Sequence, residues 1–143
     1  MMPLSSFFVA YRRTAMRPGE IVTAVEIPKP LPEYVRFYKV SKRRLDDIST
    51  VVAGMAMDWD SEERVRRARF VFGGVGPTPL RVAEAESAVV GQRWGEAAID
   101  RVQRILDRTL TPISDLRGSK EYRLDVSKSL VEKFSWERPA WRQ

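Results

Sequence analysis

The hydrophobic period of this chain changes once, near Gly76, from two residues to nearly four. Apolar side chains at every second position line one face of a strand, and a spacing of three to four lines one face of a helix. A chain that uses the first pattern in one half and the second in the other is expected to build a sheet and then helices to cover it. That is the α+β arrangement. Its 143 residues amount to one domain, and 43% hydrophobic residues are enough to fill a core.

The strand half reads as four segments. Glu20 to Ile27 alternates, with Ile21, Val25 and Ile27 set against Val22 and Glu26. Pro18-Gly19 marks a turn before it, and Pro28, Pro30 and Pro32 end it, because proline cannot donate to a ladder. Tyr34 to Ser41 is aromatic and β-branched, and a charged loop from Lys42 to Asp47 follows. Ile48 to Asp60 places Val51, Ala53, Met55, Met57 and Trp59 on one face. The polar link Ser61-Glu62-Glu63 suits a hairpin into Arg64 to Gly73, where Ala68, Phe70 and Phe72 alternate with Arg67, Arg69 and Val71.

The helical half reads as three segments. Thr78 is a candidate N-cap with Pro79 at the first helical position; Val82, Ala85 and Val89 then share a face until Gly91. A second helix runs from about Gly95 to Thr109, with Ala98, Val102, Ile105, Leu106 and Thr109 as its stripe. A third is capped by Ser119, carries Tyr122, Val126, Leu130 and Phe134 at every fourth position, and is bounded by Pro139. The expected fold is α+β in two layers: an antiparallel sheet of three to four strands, joined as a meander, against a three-helix bundle. Residues 1–143 are expected to form a single domain with a loosely held tail over 136–143.

Two zeros narrow the chemistry. The chain has no Cys and no His. It has no ligands for a structural zinc site of the usual kind, no thiol nucleophile, no disulfide and no imidazole base. No catalytic residue and no metal site is expected. No 18-residue apolar run is present, so no membrane span is expected, and MMPLSSFF lacks the basic start and apolar run of a signal peptide.

Basic residues exceed acidic ones by 25 to 19, a net charge of +6. The arginines at 64, 66, 67 and 69 could form a nucleic-acid stripe, but they read more simply as the solvated face of a half-buried strand. Gly73, Gly74 and Gly76 in FGGVG lie between a strand and a helix, where a phosphate can be cradled. They match neither GxGxxG nor the lysine-bearing P-loop, so a reversal needing positive φ is the simpler reading. Asp46 and Asp47 are adjacent and point to opposite sides, which suits charge compensation of Lys42, Arg43 and Arg44 rather than a catalytic dyad.

Four ordered blocks carry a more specific signal. They are FFVAYRRTAMRPGEIVTAVEIP at 7–28, YKVSKRRLDDIST at 38–50, ARFVFGGVGPTPLRVAEAE at 68–86 and LTPISDLRGSKEYRLDVSKSLVEKF at 110–134. Together they resemble the C-terminal domain of the FAD-binding component of molybdenum hydroxylases, with the bacterial xanthine dehydrogenase small subunit the nearer likeness and the carbon monoxide dehydrogenase medium subunit a more distant one.

The resemblance implies a sheet packed with a three-helix bundle, as the periodicity does. It also implies a cytoplasmic oxidoreductase of several components, in which this domain closes part of the flavin pocket and is inactive alone. FAD would be held mainly by a separate N-terminal FAD-binding domain. The [2Fe-2S] clusters would belong to an iron–sulfur domain and the molybdenum cofactor to another subunit, with NAD as the electron acceptor. By position, the resemblance assigns flavin contact to Val22 through its backbone and to Lys39 through its charge. It puts Tyr11 near the acceptor side and Asp46 in the loop bordering the flavin. Leu45 departs from the pattern, since some relatives carry an acid there. The competing functions are a basic nucleic-acid-binding module, whose RNP, zinc-finger and GXXG motifs are absent, and a purely structural subunit-assembly domain.

Overall fold

The alternation at Tyr34 to Ser41, Ile48 to Asp60 and Arg64 to Gly73 becomes the three long strands of the sheet. The computed structural model describes residues 1–43, 45 and 47–138. The chain divides into two units, Met1–Leu31 and Pro32–Gln143.

The first unit holds a single 3-10 turn, Leu4–Ser6, and a short antiparallel hairpin of β1 (Phe8–Ala10) and β2 (Arg13–Thr14). Arg12 turns this hairpin with φ 56°. The expected strand at Glu20 to Ile27 does not form. Ile21, Val22, Val25 and Ile27 are all exposed, so alternation there marks no buried face. A strand needs a neighbour to take its backbone hydrogen bonds, and among the described residues no strand pairs with this segment.

The second unit is a four-stranded antiparallel meander in the order β3 (Tyr34–Val40), β4 (Val51–Trp59), β5 (Val65–Gly73) and β6 (Leu80–Arg81). Its inner face carries Tyr34, Tyr38, Val51, Ala53, Met55, Met57, Ala68, Phe70 and Phe72, all buried. One irregularity interrupts the β4–β5 ladder. Asp58 pairs with Arg67 but Trp59 pairs with Val65, so Arg66 is an extra residue in β5. That bulge lets both Val65 and Ala68 face inward although an odd number of steps separates them.

Three helices cover the inner face: α1 (Ala83–Val89), α2 (Glu96–Thr109) and α3 (Lys120–Trp136). Helix α1 packs on β5, α3 on β4, and α2 against both other helices. Aromatic rings fill the join, with Tyr34 and Phe134 at 4.6 Å between centroids and Trp94 touching both Phe70 and Phe134. The Tyr34 hydroxyl also donates to the Phe134 carbonyl at 3.0 Å.

Two helix readings need correction. Thr78 and Pro79 do not start a helix. Leu80 and Arg81 instead pair with Phe72 and Val71 as β6, and α1 begins at Ala83 without a side-chain cap. The free edge of β5 takes these residues, because its unpaired backbone groups need partners. In α3 the cap is as expected, with Ser119 Oγ accepting from the Tyr122 N–H at 3.1 Å. The buried stripe, however, runs Arg123, Ser127, Leu130, Val131 and Phe134, and Tyr122 is exposed. A strict repeat of four drifts around a helix of 3.6 residues per turn, so one counted back from Phe134 reaches the wrong residue by the first turn. At the end of α3, Arg138 pairs with Glu63 and lies over the Trp59 ring. Residues 139–143 of the expected loose tail lie outside the described residues.

Two glycines at positive φ should respond differently to a methyl group. Gly74 has φ 79°, and a Cβ there would meet the Thr50 carbonyl oxygen at 2.4 Å; Gly91 has φ 77° with nothing near. Gly91→Ala should cost about 1–2 kcal/mol from the backbone alone. Gly74→Ala should cost roughly 3 kcal/mol or more, because backbone atoms must also move. Urea unfolding of the two variants checks this, and equal costs would contradict it.

Candidate functional site

Lys39 lies near the end of β3, opposite Val52 of β4. Because Tyr34 and Tyr38 face the helices, Val35, Phe37 and Lys39 face the other way. Phe37 is 70% exposed and Val35 50% exposed. Beside them on β4 and β5 stand small or short side chains: Val52, Gly54, Ala56, Val71 and Gly73. A Cβ on Gly54 would come to 4.0 Å from the Phe37 ring, and one on Gly73 to 3.7 Å from Val52. The face away from the helices is therefore a low apolar shelf with Lys39 at one end and Arg69, paired with Glu86, at the other. Lys39 forms no ion pair with any described residue. Such a surface can take a flat, apolar ligand that carries negative charge at one edge.

Two of the other residues singled out from sequence belong to the first unit. Tyr11 is in the hairpin turn of the first unit, 67% exposed, with the Arg12 guanidinium 5.3 Å from its ring centre. Val22, in the same unit, is exposed and belongs to no strand, which removes the reading of it as strand core. Asp46 lies outside the described residues, as does Arg44. Of the loop between β3 and β4, Asp47 accepts the Arg43 N–H at 2.9 Å, and this bond holds its carboxyl below the usual carboxylate range.

A buried cluster behind this loop was not legible from spacing. The Arg123 guanidinium, on the inner face of α3, donates from Nη1 to the Thr50 carbonyl at 2.6 Å and the Gly74 carbonyl at 2.9 Å. Its Nη2 donates to Asp115 Oδ1 at 2.6 Å. Asp115 also accepts the Arg117 N–H at 2.8 Å, and Thr50 Oγ1 donates to the Arg117 carbonyl at 3.3 Å. Lys42 Nζ donates to the Leu116 carbonyl. The available signal was helical: positions 123, 127, 130 and 134 fall on one face. The cluster also explains FGGVG, since Gly74 is where the Thr50 carbonyl and Arg123 approach the chain most closely. Gly74 thus serves packing in the described structure.

The four arginines of β5 and its approach all meet carboxylates. Arg64 pairs with Glu62, Arg66 with Glu33, Arg67 with Asp58 and Arg69 with Glu86. Glu86 is buried and also accepts a two-pronged contact from Arg81 and the Phe70 N–H. Among the described residues, no group of three or more Asp or Glu could hold a metal ion, and no helix is long and apolar enough to cross a membrane.

A family model described as the CO dehydrogenase flavoprotein C-terminal domain matches residues 36–137, the stretch that holds all three helices and the sheet but for Tyr34 and Val35. The chain belongs to this family. It is 34% identical over 140 residues to nicotinate hydroxylase hnxS of Emericella nidulans, covering 93% of this chain and 10% of that protein. Xanthine dehydrogenase 2 of Arabidopsis thaliana is 32% identical over 138 residues, again covering 93% and 10%. The carbon monoxide dehydrogenase medium chain of Afipia carboxidovorans is 30% identical over 120 residues, covering 84% of this chain and 41% of that one. The crystal structure of Cu,Mo-CO dehydrogenase in its cyanide-inactivated form superimposes with a TM-score of 0.80 at 26% identity, over 90% of this chain and 44% of that one. This chain thus spans about a tenth of hnxS and of the plant dehydrogenase, and less than half of the carbon monoxide dehydrogenase chains. Members of the domain family are flavoprotein domains of oxidoreductases by description, and the fold of this one is theirs.

The buried cluster gives the domain an acid-sensitive point. The Arg117 N–H, and after it the Arg123 guanidinium, hold the Asp115 carboxyl below its ordinary value of 3.8. A carboxylate depressed in the folded state adds stability that is complete above the unfolded value and is lost as pH falls through the folded one. Asp115→Asn should therefore be less stable than wild type at pH 7, and the gap should close as pH falls below 3.8. Thermal midpoints across pH 2–7 (roughly the range in which a depressed carboxylate titrates) test this. A gap that stays constant would show that the charge of Asp115 is immaterial.

Proposed function

We propose that this chain is the C-terminal domain of the FAD-binding component of a xanthine dehydrogenase-like molybdenum hydroxylase, acting in the cytoplasm. In this reading it closes part of the flavin pocket and supports the passage of electrons from iron–sulfur clusters through FAD to NAD. The observation that carries it is the position of Lys39: an ammonium with no ion-pair partner among the described residues, at the end of an exposed apolar shelf, in a chain of the flavoprotein family. When bound, FAD supplies the electron-carrying chemistry. The shelf fits a flat ring system, with Phe37 and Val35 giving apolar area and Lys39 a positive edge. An ammonium there favours the negative charge that a reduced flavin gains.

By the family likeness alone, flavin contact is also proposed for Val22 through its backbone, for Tyr11 toward the acceptor and for Asp46. The chain has no Cys, so the thiolates that hold [2Fe-2S] clusters come from an iron–sulfur domain. The molybdenum cofactor belongs to a further subunit, and most of the hold on FAD to an N-terminal domain with its own phosphate-binding loops. The pairing of each arginine from 64 to 69 with a carboxylate supports this reading over a nucleic-acid module, since those charges are already answered. Alone, this chain should show no dehydrogenase activity and should bind FAD weakly. One shelf and one lysine do not offset the several kcal/mol of freedom that a dinucleotide loses. Gel filtration of the chain with FAD tests this, and a stoichiometric yellow protein would contradict it.

Lys39→Met keeps the stem and removes the charge. A charge-assisted contact contributes about 1.5–3 kcal/mol and less when screened. The flavin of the assembled protein should therefore drop in two-electron potential by roughly 20–40 mV. Spectroelectrochemistry of both proteins at one salt concentration is the measurement. Unchanged potential and unchanged FAD affinity would make Lys39 an ordinary surface lysine.

A further inference from the structure

We propose that Arg123 is the positioning residue for Lys39. This rests on the reading that Lys39 meets the flavin. The two residues lie on opposite sides of the sheet, and the link between them is the start of β4. Thr50 immediately precedes that strand and is 2% exposed. Its N–H donates to the Val40 carbonyl at 2.7 Å, closing the ladder at the end of β3. The next pairs are Val51 with Val40 and Val52 with Lys39. Arg123 holds the carbonyl of the same Thr50 from the helix side at 2.6 Å. Thr50 is therefore held on one side by β3 and on the other by α3.

The chain between Lys39 and Thr50 is tied to the same anchor at both ends. Lys42 donates to the Leu116 carbonyl and Thr50 Oγ1 to the Arg117 carbonyl. Both carbonyls belong to the turn in which Asp115 and Gly118 exchange backbone hydrogen bonds at 3.0 and 3.2 Å. Asp115 is the carboxylate that receives Arg123. One guanidinium thus links the last turn before α3, the β5–β6 connection at Gly74 and the β3–β4 end. A lysine cannot replace it, because a single ammonium on a flexible stem lacks the planar fork that reaches two carbonyls and a carboxylate together. Without that fork the end of β3 frays, and the Lys39 ammonium spreads over several positions around the shelf.

The test is a double-mutant cycle in the assembled flavoprotein with Arg123→Lys, Lys39→Met and the pair. Arg123→Lys keeps the charge, so a direct electrostatic effect on the flavin is largely held constant. The expected result is a potential shift in the same direction as that of Lys39→Met, with the double variant no lower than Lys39→Met alone. Hydrogen exchange should rise about tenfold at Thr50, whose N–H bonds the Val40 carbonyl, in Arg123→Lys, with the β4 centre at Met55–Met57 unchanged. Asp115→Asn, which removes the charge and so weakens the hold of the turn on Arg123, should give the same pattern in weaker form and serves if Arg123→Lys does not fold. Additive shifts, or exchange that rises equally across the sheet, would overturn the inference. A shift with Lys39→Met but none with Arg123→Lys would overturn the inference alone. Silence of both would overturn the flavin reading of Lys39 as well.

Discussion

A buried guanidinium that gives three short hydrogen bonds organises one end of the second unit. Arg123 reaches the Thr50 and Gly74 carbonyls and the Asp115 carboxylate, at 2.6, 2.9 and 2.6 Å. Burying a charge is costly unless it is paired and hydrogen-bonded, and here it is both. The geometry dictates its neighbours. Gly74 has no side chain because a Cβ would strike the Thr50 oxygen, and at Gly118 a Cβ would come within 3.1 Å of Thr50 and 3.0 Å of Tyr122. Ser127, one turn further along α3, donates back to the Arg123 carbonyl at 2.8 Å. The opposite end of α3 is held differently, by Tyr34 on the Phe134 carbonyl and Tyr38 on Glu137. Burial, and then the Glu137 carboxylate, push the Tyr38 hydroxyl well above its ordinary value, so it remains a donor across the physiological range.

With α3 fixed at both ends, the sheet has one covered face and one shelf. The covered face takes the large side chains Met55, Met57, Phe70 and Phe72. The shelf takes Gly54, Ala56 and Gly73, with Phe37 and Val35 at its side and Lys39 at its end. Residues of opposite character alternate along the same strands, so the register that buries the core also presents the shelf. A one-residue slip of β3 would turn Lys39 inward and Tyr38 outward, which ties the proposed flavin contact to core packing. The membership in the flavoprotein domain family and the open shelf support the same reading from independent directions.

The surface charge follows a similar economy. Asp58 and Glu86 are buried carboxylates on the β4–β5 side, each closed by arginines that look like a basic stripe in sequence. Asp58 and Glu86 come from the neighbouring strand and from α1, outside the run of arginines, and meet it in the fold. Charge counting along the chain therefore overstates how much positive charge is free.

Periodicity in the sequence determined the three long strands and the second helix, because each is a local pattern read against a single face, and the Ser119 cap followed from residue type at one position. The α+β class followed from the order of those patterns. Tertiary structure alone decided the rest. Glu20 to Ile27 has the alternation of a strand but pairs with no strand among the described residues, and pairing is a property of two segments. Leu80 and Arg81 became β6 because the edge of β5 was free to bond them. Lys39 was legible as a lysine among apolar neighbours on an alternating strand. Arg123 was not, because its acceptors come from residues 50, 74 and 115, and long-range hydrogen bonds leave no period in the sequence.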